Sequence, residues 1–129
     1  MSYIILNKCD YFSHGLKNVI NEAGGKKKDI HLLDNLPNCA RLLQQGSTQI
    51  ACICESMYNT ENDREEIKKL IAMNPETLFI IFMRVVHSSF EDYIYIKPNV
   101  VIMAQNVSIS TVKNLVANNR LKQAAQPVG

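Results

Sequence analysis

The chain has 129 residues, of which 47% are hydrophobic and 20% are charged, and such a chain forms one domain with its own core. Its apolar runs are far shorter than the roughly 20 residues that a membrane-spanning helix needs, and no leader-like segment opens the chain, so the sequence predicts a soluble, cytoplasmic protein. A net charge of +2, from 14 basic and 12 acidic residues, argues against a domain that binds nucleic acid by itself.

Apolar runs of strand length alternate along the chain with stretches of helical period. The predicted strands occupy residues 3–6, 29–33, 49–54, 77–83 and 99–104. The predicted helices occupy residues 11–23, 36–43, 61–75 and 109–121, and Ser108 can cap the last of them. The stretch SSFEDYIYI, residues 88–96, shows little periodicity.

This alternation predicts an α/β fold with an open, doubly wound, five-stranded parallel sheet. Functional groups in such folds collect at the carboxyl ends of the strands, which here are residues 7–9, 54–55, 83–84 and 105–106. We expect the domain to span residues 1–121. Residues 122–129 resemble the start of a linker to a further domain.

The four cysteines, at positions 9, 39, 52 and 54, admit two interpretations. Disulfide bonds are typical of small secreted domains without a core, whereas this chain has apolar runs enough for one. Reduced cysteines that pack in the core of a cytoplasmic protein are therefore the favoured interpretation.

Several stretches carry a family resemblance that covers most of the chain: YIILNKCDYFSHGL, GGKKKDI, NPETLFIIFM and FEDYIYIKPNVVIMAQ. They resemble the receiver-like N-terminal domains of LuxR-type transcription regulators, and in particular the RcsA family of enterobacterial capsule-synthesis regulators. The resemblance implies the receiver strand order 2-1-3-4-5, with residues 88–96 as an irregular fourth helix. It also implies an auxiliary activator that pairs with a receiver-containing regulator, of the regulator of capsule synthesis B type, or with itself.

The same resemblance places the receiver phosphorylation site on residues that cannot perform its chemistry. The acidic pair that holds Mg²⁺ falls on Asn7 and Lys8, and the phosphoacceptor falls on Cys54. The hydroxyl position falls on Met83 and the lysine position on Gln105. Every group needed for aspartyl phosphorylation is replaced, so the resemblance implies a pocket with no metal, no cofactor and no catalytic residue.

Alternatives remain open for individual residues. Lys8 either fills the vacated metal position as an internal cation or is solvated. Cys9 and Cys54 end neighbouring strands and could form a redox pair, although packing is the commoner role. His14, His31 and His87 lie on different elements and predict no dyad.

Three functions are compatible with these observations. The favoured one is a phosphorylation-independent regulatory and dimerisation domain that reaches DNA only through a helix-turn-helix domain outside this chain. A small-ligand or thiol-redox sensor in the vacated pocket is the alternative, and an enzyme ranks last because the sequence has neither a glycine-rich phosphate loop nor a nucleophile with a base. In LuxR-type relatives pairing commonly involves the first and last helices. The candidate contact residues there are His14, Lys17, Asn21, Lys113, Asn114 and Ala117, and residues 90–96 are a second candidate surface.

Overall fold

A computed structural model describes residues 2–83, 93–104 and 109–125 of the chain, without the side chains of residue 10 and residues 120–125. The strands are β1 (Ser2–Leu6), β2 (Ile30–Leu33), β3 (Thr48–Cys54), β4 (Leu78–Met83), β5 (Tyr93–Lys97) and β6 (Val100–Ala104). The helices are α1 (Asp10–Glu22), α2 (Leu36–Gln44), α3 (Glu61–Met73) and α4 (Ile109–Ala125), with short 3₁₀ turns at Lys27–Asp29 and Glu55–Met57.

All strands belong to one sheet in the order β2-β1-β3-β4-β6-β5. The first five of these in that order run parallel, and β5 is antiparallel to β6. The predicted α/β class and the parallel order of the five predicted strands are therefore confirmed, with β6 as the fifth.

The central strand β3 explains why both faces of the sheet are covered. All seven of its residues are buried, and alternate side chains enter opposite cores because successive residues of a strand point to opposite faces. Cys52 and Cys54 belong to the core under α1 and α4, whereas Ala51 and Ile53 belong to the core under α2 and α3. Each large apolar side chain so buried contributes about 1.5–3 kcal/mol.

Local signals set the helix ends. The side-chain oxygen of Asn35 accepts a hydrogen bond from the backbone N–H of Asn38 at the start of α2, and that of Thr60 accepts one from Asp63 at the start of α3. Such caps satisfy backbone donors that have no partner within the helix. Gly46, with φ of +77°, follows the end of α2, where glycine adopts this backbone conformation without strain.

The prediction of five strands with an irregular fourth helix is corrected by β5. The segment Tyr93–Lys97 alternates aromatic and β-branched residues, which favour extended structure. Pro98 and Asn99 then turn the chain so that β5 returns antiparallel along β6. Residues 84–92, which include Phe90 and His87, lie outside the described residues.

Helix α4 extends to Ala125, four residues into the segment predicted as linker. The helical spacing of Ile109, Val112, Leu115 and Val116 predicts one apolar face; the last three are buried in the core, but Ile109 is 66% exposed. Within the described residues, no helix is both long and apolar enough to cross a membrane.

Candidate functional site

The residues predicted to replace the receiver phosphorylation site lie at the carboxyl ends of neighbouring parallel strands. Asn7 and Lys8 follow β1, Cys54 ends β3 and Met83 ends β4. We call these four residues the strand-end pocket; Gln105, the fifth predicted member, lies outside the described residues. Asn7 is buried, Cys54 is fully buried, and Lys8 is exposed.

The buried Asn7 side chain is held by a hydrogen-bond network. Its Oδ1 accepts from the Ser56 hydroxyl at 2.8 Å and from the backbone N–H of Cys9 at 3.3 Å. Its Nδ2 donates to the Cys9 carbonyl at 3.1 Å. The Ser56 hydroxyl oxygen also accepts from the backbone N–H of Lys8 at 3.3 Å. Both polar atoms of the amide are therefore satisfied by the protein, and the network joins the end of β1 to the turn after β3.

Cys54 occupies the predicted acceptor position as a neutral thiol. Burial, and secondarily the nearby Cys9, raises the pKa of the Cys54 thiol to about 12. A thiol with this pKa stays protonated at physiological pH, and the thiolate is the form that attacks electrophiles or binds soft metals. Within the described part of the chain, no group of three or more His, Cys, Asp or Glu residues could hold a metal ion.

Tyr58 ties the loop after β3 to the end of β4. Its hydroxyl donates to the Phe82 carbonyl at 2.8 Å. Burial raises the Tyr58 pKa to about 12, and the negative charge of the nearby Glu55 adds to the effect. The Arg64 guanidinium donates to the carbonyls of Tyr58 and Asn59, at 3.3 and 3.4 Å. The loop is thereby attached to β4 and α3 as well as to β1.

Ser56 and Tyr58 hold the strand-end pocket together through hydrogen bonds, and the sequence did not single them out. Both follow Cys54 within the stretch ESMY, where a polar residue just beyond a buried strand was the available signal.

The thiols give a direct test of the pocket. At about pH 8, iodoacetamide is expected to label Cys9 and to leave the other three cysteines unmodified, because Cys9 is exposed and Cys39, Cys52 and Cys54 are buried with raised pKa values. Intact-protein mass spectrometry should show one adduct in the folded domain and four after unfolding. Fast labelling of Cys54 in the folded domain would contradict this arrangement and favour a thiol sensor.

A second candidate surface lies where α1 meets α4. An apolar groove of about 220 Å³ lies there and is lined by Tyr11, Phe12, Gly15, Leu16, Val19, Phe82, Ile109 and Val112. We call it the α1–α4 groove. Phe12 and Phe82 pack edge to face in it, with ring centroids 5.3 Å apart. Tyr11 is 91% exposed and Ile109 66% exposed, so two large apolar side chains of the lining face solvent.

The predicted contact residues on these helices differ in their surroundings. His14 and Asn114 are exposed, while Lys17, Asn21 and Ala117 are partly buried. The Asn21 amide donates to the Gly25 carbonyl at 2.9 Å, beyond the end of α1. The Lys113 ammonium lies 3.2 Å from the Glu22 carboxylate, so this lysine joins α4 to α1 within the chain.

Solved structures of two regulators share the fold of this chain. It aligns with a two-component transcriptional regulator AraC from Clostridium phytofermentans ISDg at a TM-score of 0.67 and 13% identity, covering 98% of this chain and 99% of that one. It also aligns with a response regulator from Burkholderia pseudomallei at a TM-score of 0.60 and 11% identity, over 98% of this chain and 75% of that one. These likenesses show a receiver-like fold.

The sequence comparisons are more specific than the shared fold. Residues 2–128 match the model of the transcriptional regulator RcsA N-terminal dimerisation domain, and the chain belongs to this family. It is 34% identical over 117 residues to the transcriptional regulatory protein RcsA of Erwinia amylovora, covering 90% of this chain and 56% of that protein. It is 31% identical over 118 residues to RcsA of Pantoea stewartii, covering 91% and 56%. The chain thus spans just over half the length of these relatives.

Proposed function

We propose that the chain is the phosphorylation-independent pairing domain of an auxiliary LuxR-type activator of capsule or related surface-polysaccharide genes. It acts in the cytoplasm as a binding module and not as an enzyme. Its partner is a receiver-containing regulator of the regulator of capsule synthesis B type. Residues 1–121 form the body of the regulatory domain, α4 continues to Ala125, and contact with DNA is made by a helix-turn-helix domain outside this chain.

The observation that carries this proposal is the internal hydrogen bonding of the strand-end pocket. Asn7 is bonded to Ser56 and Cys9, and Cys54 is a buried neutral thiol. A pocket of this kind offers neither a carboxylate acceptor nor the charged oxygen ligands that Mg²⁺ requires. Ser56 and Tyr58 fix the loop that follows β3. A domain built this way stays in one state, and its output depends on which partners are present.

The α1–α4 groove supports the pairing half of the proposal. It is apolar, it lies on the two helices that LuxR-type relatives commonly use, and Tyr11 and Ile109 are exposed beside it. Exposed aromatic and aliphatic side chains around a shallow groove are the features of a protein-binding hot spot.

Phosphorylation chemistry provides the test. Incubation with acetyl phosphate or beryllofluoride and Mg²⁺ is expected to leave the domain unmodified and its thermal unfolding midpoint unchanged, because the pocket has no acceptor carboxylate. Intact-protein mass spectrometry and thermal unfolding measure both outcomes. A receiver domain with its acidic residues intact, treated in parallel, serves as the positive control. A stoichiometric acid-labile phosphate on this chain would refute the proposal.

A further inference from the structure

Strand β5 forms an edge of the sheet that is both apolar and exposed. Within the described residues it pairs only with β6. Its side chains are largely accessible: Tyr93 is 36% exposed, Ile94 42%, Tyr95 51% and Ile96 55%. An edge strand of this composition presents backbone donors and acceptors, and apolar side chains beside them, to any strand that can align with it.

The opposite edge of the sheet is built differently. In strand β2, Ile30 is buried and the other three residues are partly buried, and Leu32 and Leu33 pack against the two cores. All five residues of β5 are exposed. Charged residues flank both strands in the sequence, so charge does not distinguish the two edges. Of these two edge strands, β5 is the one whose apolar side chains are uncovered.

We propose that a second copy of this chain pairs with β5, antiparallel and about a two-fold axis, so that two six-stranded sheets become continuous. The family to which the chain belongs is described as a dimerisation domain, so a copy of the chain is a natural occupant. A two-fold axis normal to the sheet makes identical edge strands antiparallel, and the contact is then self-complementary.

The side chains of β5 suit this pairing. Tyr93 and Tyr95 lie on one face with their rings 6.0 Å apart and edge to face. With Ile94 at the two-fold axis, Tyr93 of one copy lies opposite Tyr95 of the other. Four tyrosines then meet on one face and two isoleucines on the other, and aromatic and β-branched cross-strand pairs stabilise antiparallel sheets. No like charges face each other within this three-residue segment.

Few residues of β5 can pair with a second copy, and this limits the affinity of the dimer. The register with β6 shifts between Tyr95 and Lys97, and Pro98 follows, so the regular ladder is confined to Tyr93–Tyr95. Since stable interfaces bury about 800 Å² on each partner, the contact produces weak, concentration-dependent dimers. The β5 contact shares no residue with the α1–α4 groove. An experiment can therefore rule out pairing through β5 without ruling out pairing through α1 and α4, and it can rule out the second without the first.

Sedimentation equilibrium of the chain from about 10 µM to about 1 mM tests the inference. The parent is expected to dimerise, and Ile94→Lys is expected to raise the dissociation constant at least about tenfold, because two ammonium groups would meet at the axis. Met73→Lys is the matched control: Met73 is 69% exposed at the end of α3, and this variant should dimerise like the parent. A parent that stays monomeric, or equal effects of the two substitutions, would overturn the inference.

Hydrogen exchange of the unmutated chain covers the case in which Ile94→Lys does not fold. Amide exchange in β5 is expected to slow as protein concentration rises, whereas exchange in β2 at the other edge should not change. If β5 exchanges at the same rate at both ends of the concentration range, or if β2 slows equally, the inference is wrong.

Discussion

Replacing Cys54 with aspartate is expected to destabilise the domain by about 3 kcal/mol and not to create a phosphoacceptor. Cys54 is fully buried in the core under α1 and α4, and its surroundings raise the pKa of the thiol to about 12. The same surroundings disfavour a carboxylate, because burial penalises the charged form of either group. Asn7 and Ser56 are bonded to each other and to the backbone nearby, so neither is free to solvate the new charge.

The loss of folding stability in the aspartate variant should increase as pH rises. Burial raises the pKa of the introduced carboxyl above its unfolded value of about 3.9. The variant therefore comes closest to the parent below about pH 4, where the carboxyl is neutral in both states. The deficit grows as pH rises toward the folded-state pKa, because only the unfolded chain then gains from ionisation.

Urea unfolding at several pH values between about 4 and 8 measures this effect. Cys54→Ser is the matched control, since it changes polarity without adding a charge, and its deficit should not vary with pH over that range. An aspartate variant as stable as the serine variant at neutral pH would mean that the pocket accepts a negative charge. Phosphorylation of the aspartate variant by acetyl phosphate would show that the parent lacks only the acceptor carboxylate.

The central part of the fold could be predicted because its signals are local. The run of apolar residues in β3 and the spacing of Leu16, Val19 and Ile20 in α1 predict a strand and a helix directly, and all these residues are buried. The family resemblance then placed Asn7 and Cys54 at neighbouring strand ends, and the structure brings them to the same edge of the sheet.

The remainder depends on contacts between distant residues. The Asn7–Ser56 hydrogen bond joins residues 49 positions apart, and the Tyr58–Phe82 bond joins residues 24 apart, so neither partner could be read from its own segment. The prediction of an irregular fourth helix failed at β5 because the alternating YIYI pattern gains its stability by pairing with β6. Ile109 has helical spacing with Val112 and Val116. At the first turn of α4, however, its side chain lines the groove and is mostly exposed, whereas the other two are buried in the core.

The surface formed by α1 and α4 is expected to concentrate its binding energy in a few apolar side chains. Tyr11→Asp and Ile109→Asp should each weaken pairing with a receiver-containing regulator of the regulator of capsule synthesis B type by about 30-fold or more, or about 2 kcal/mol. The reason is that each substitution places a carboxylate beside an apolar groove that pairing would remove from water. Both side chains are mostly exposed in the free chain, so stability should change little.

Isothermal titration calorimetry of the folded variants against this partner measures the loss, and thermal unfolding confirms the fold. Met73→Asp is the matched control, because it puts the same charge on an exposed apolar position at the end of α3. It should bind like the parent. A uniform loss in all three variants would point to general charge repulsion and not to the groove.

Charge reversal at Lys17 and Lys113 together tests the polar rim of the same surface. Lys113 forms an exposed ion pair with Glu22 at 3.2 Å, and such pairs contribute at most about 1 kcal/mol, so the double variant should remain folded. Its pairing affinity should fall less than that of Tyr11→Asp. Part of the lost affinity should return at high salt concentration, because salt screens charges at the rim of an interface. If Tyr11→Asp, Ile109→Asp and the double reversal all fold and pair as tightly as the parent, the partner does not bind α1 and α4. The exposed side chains of β5 then become the surface on which to look for it.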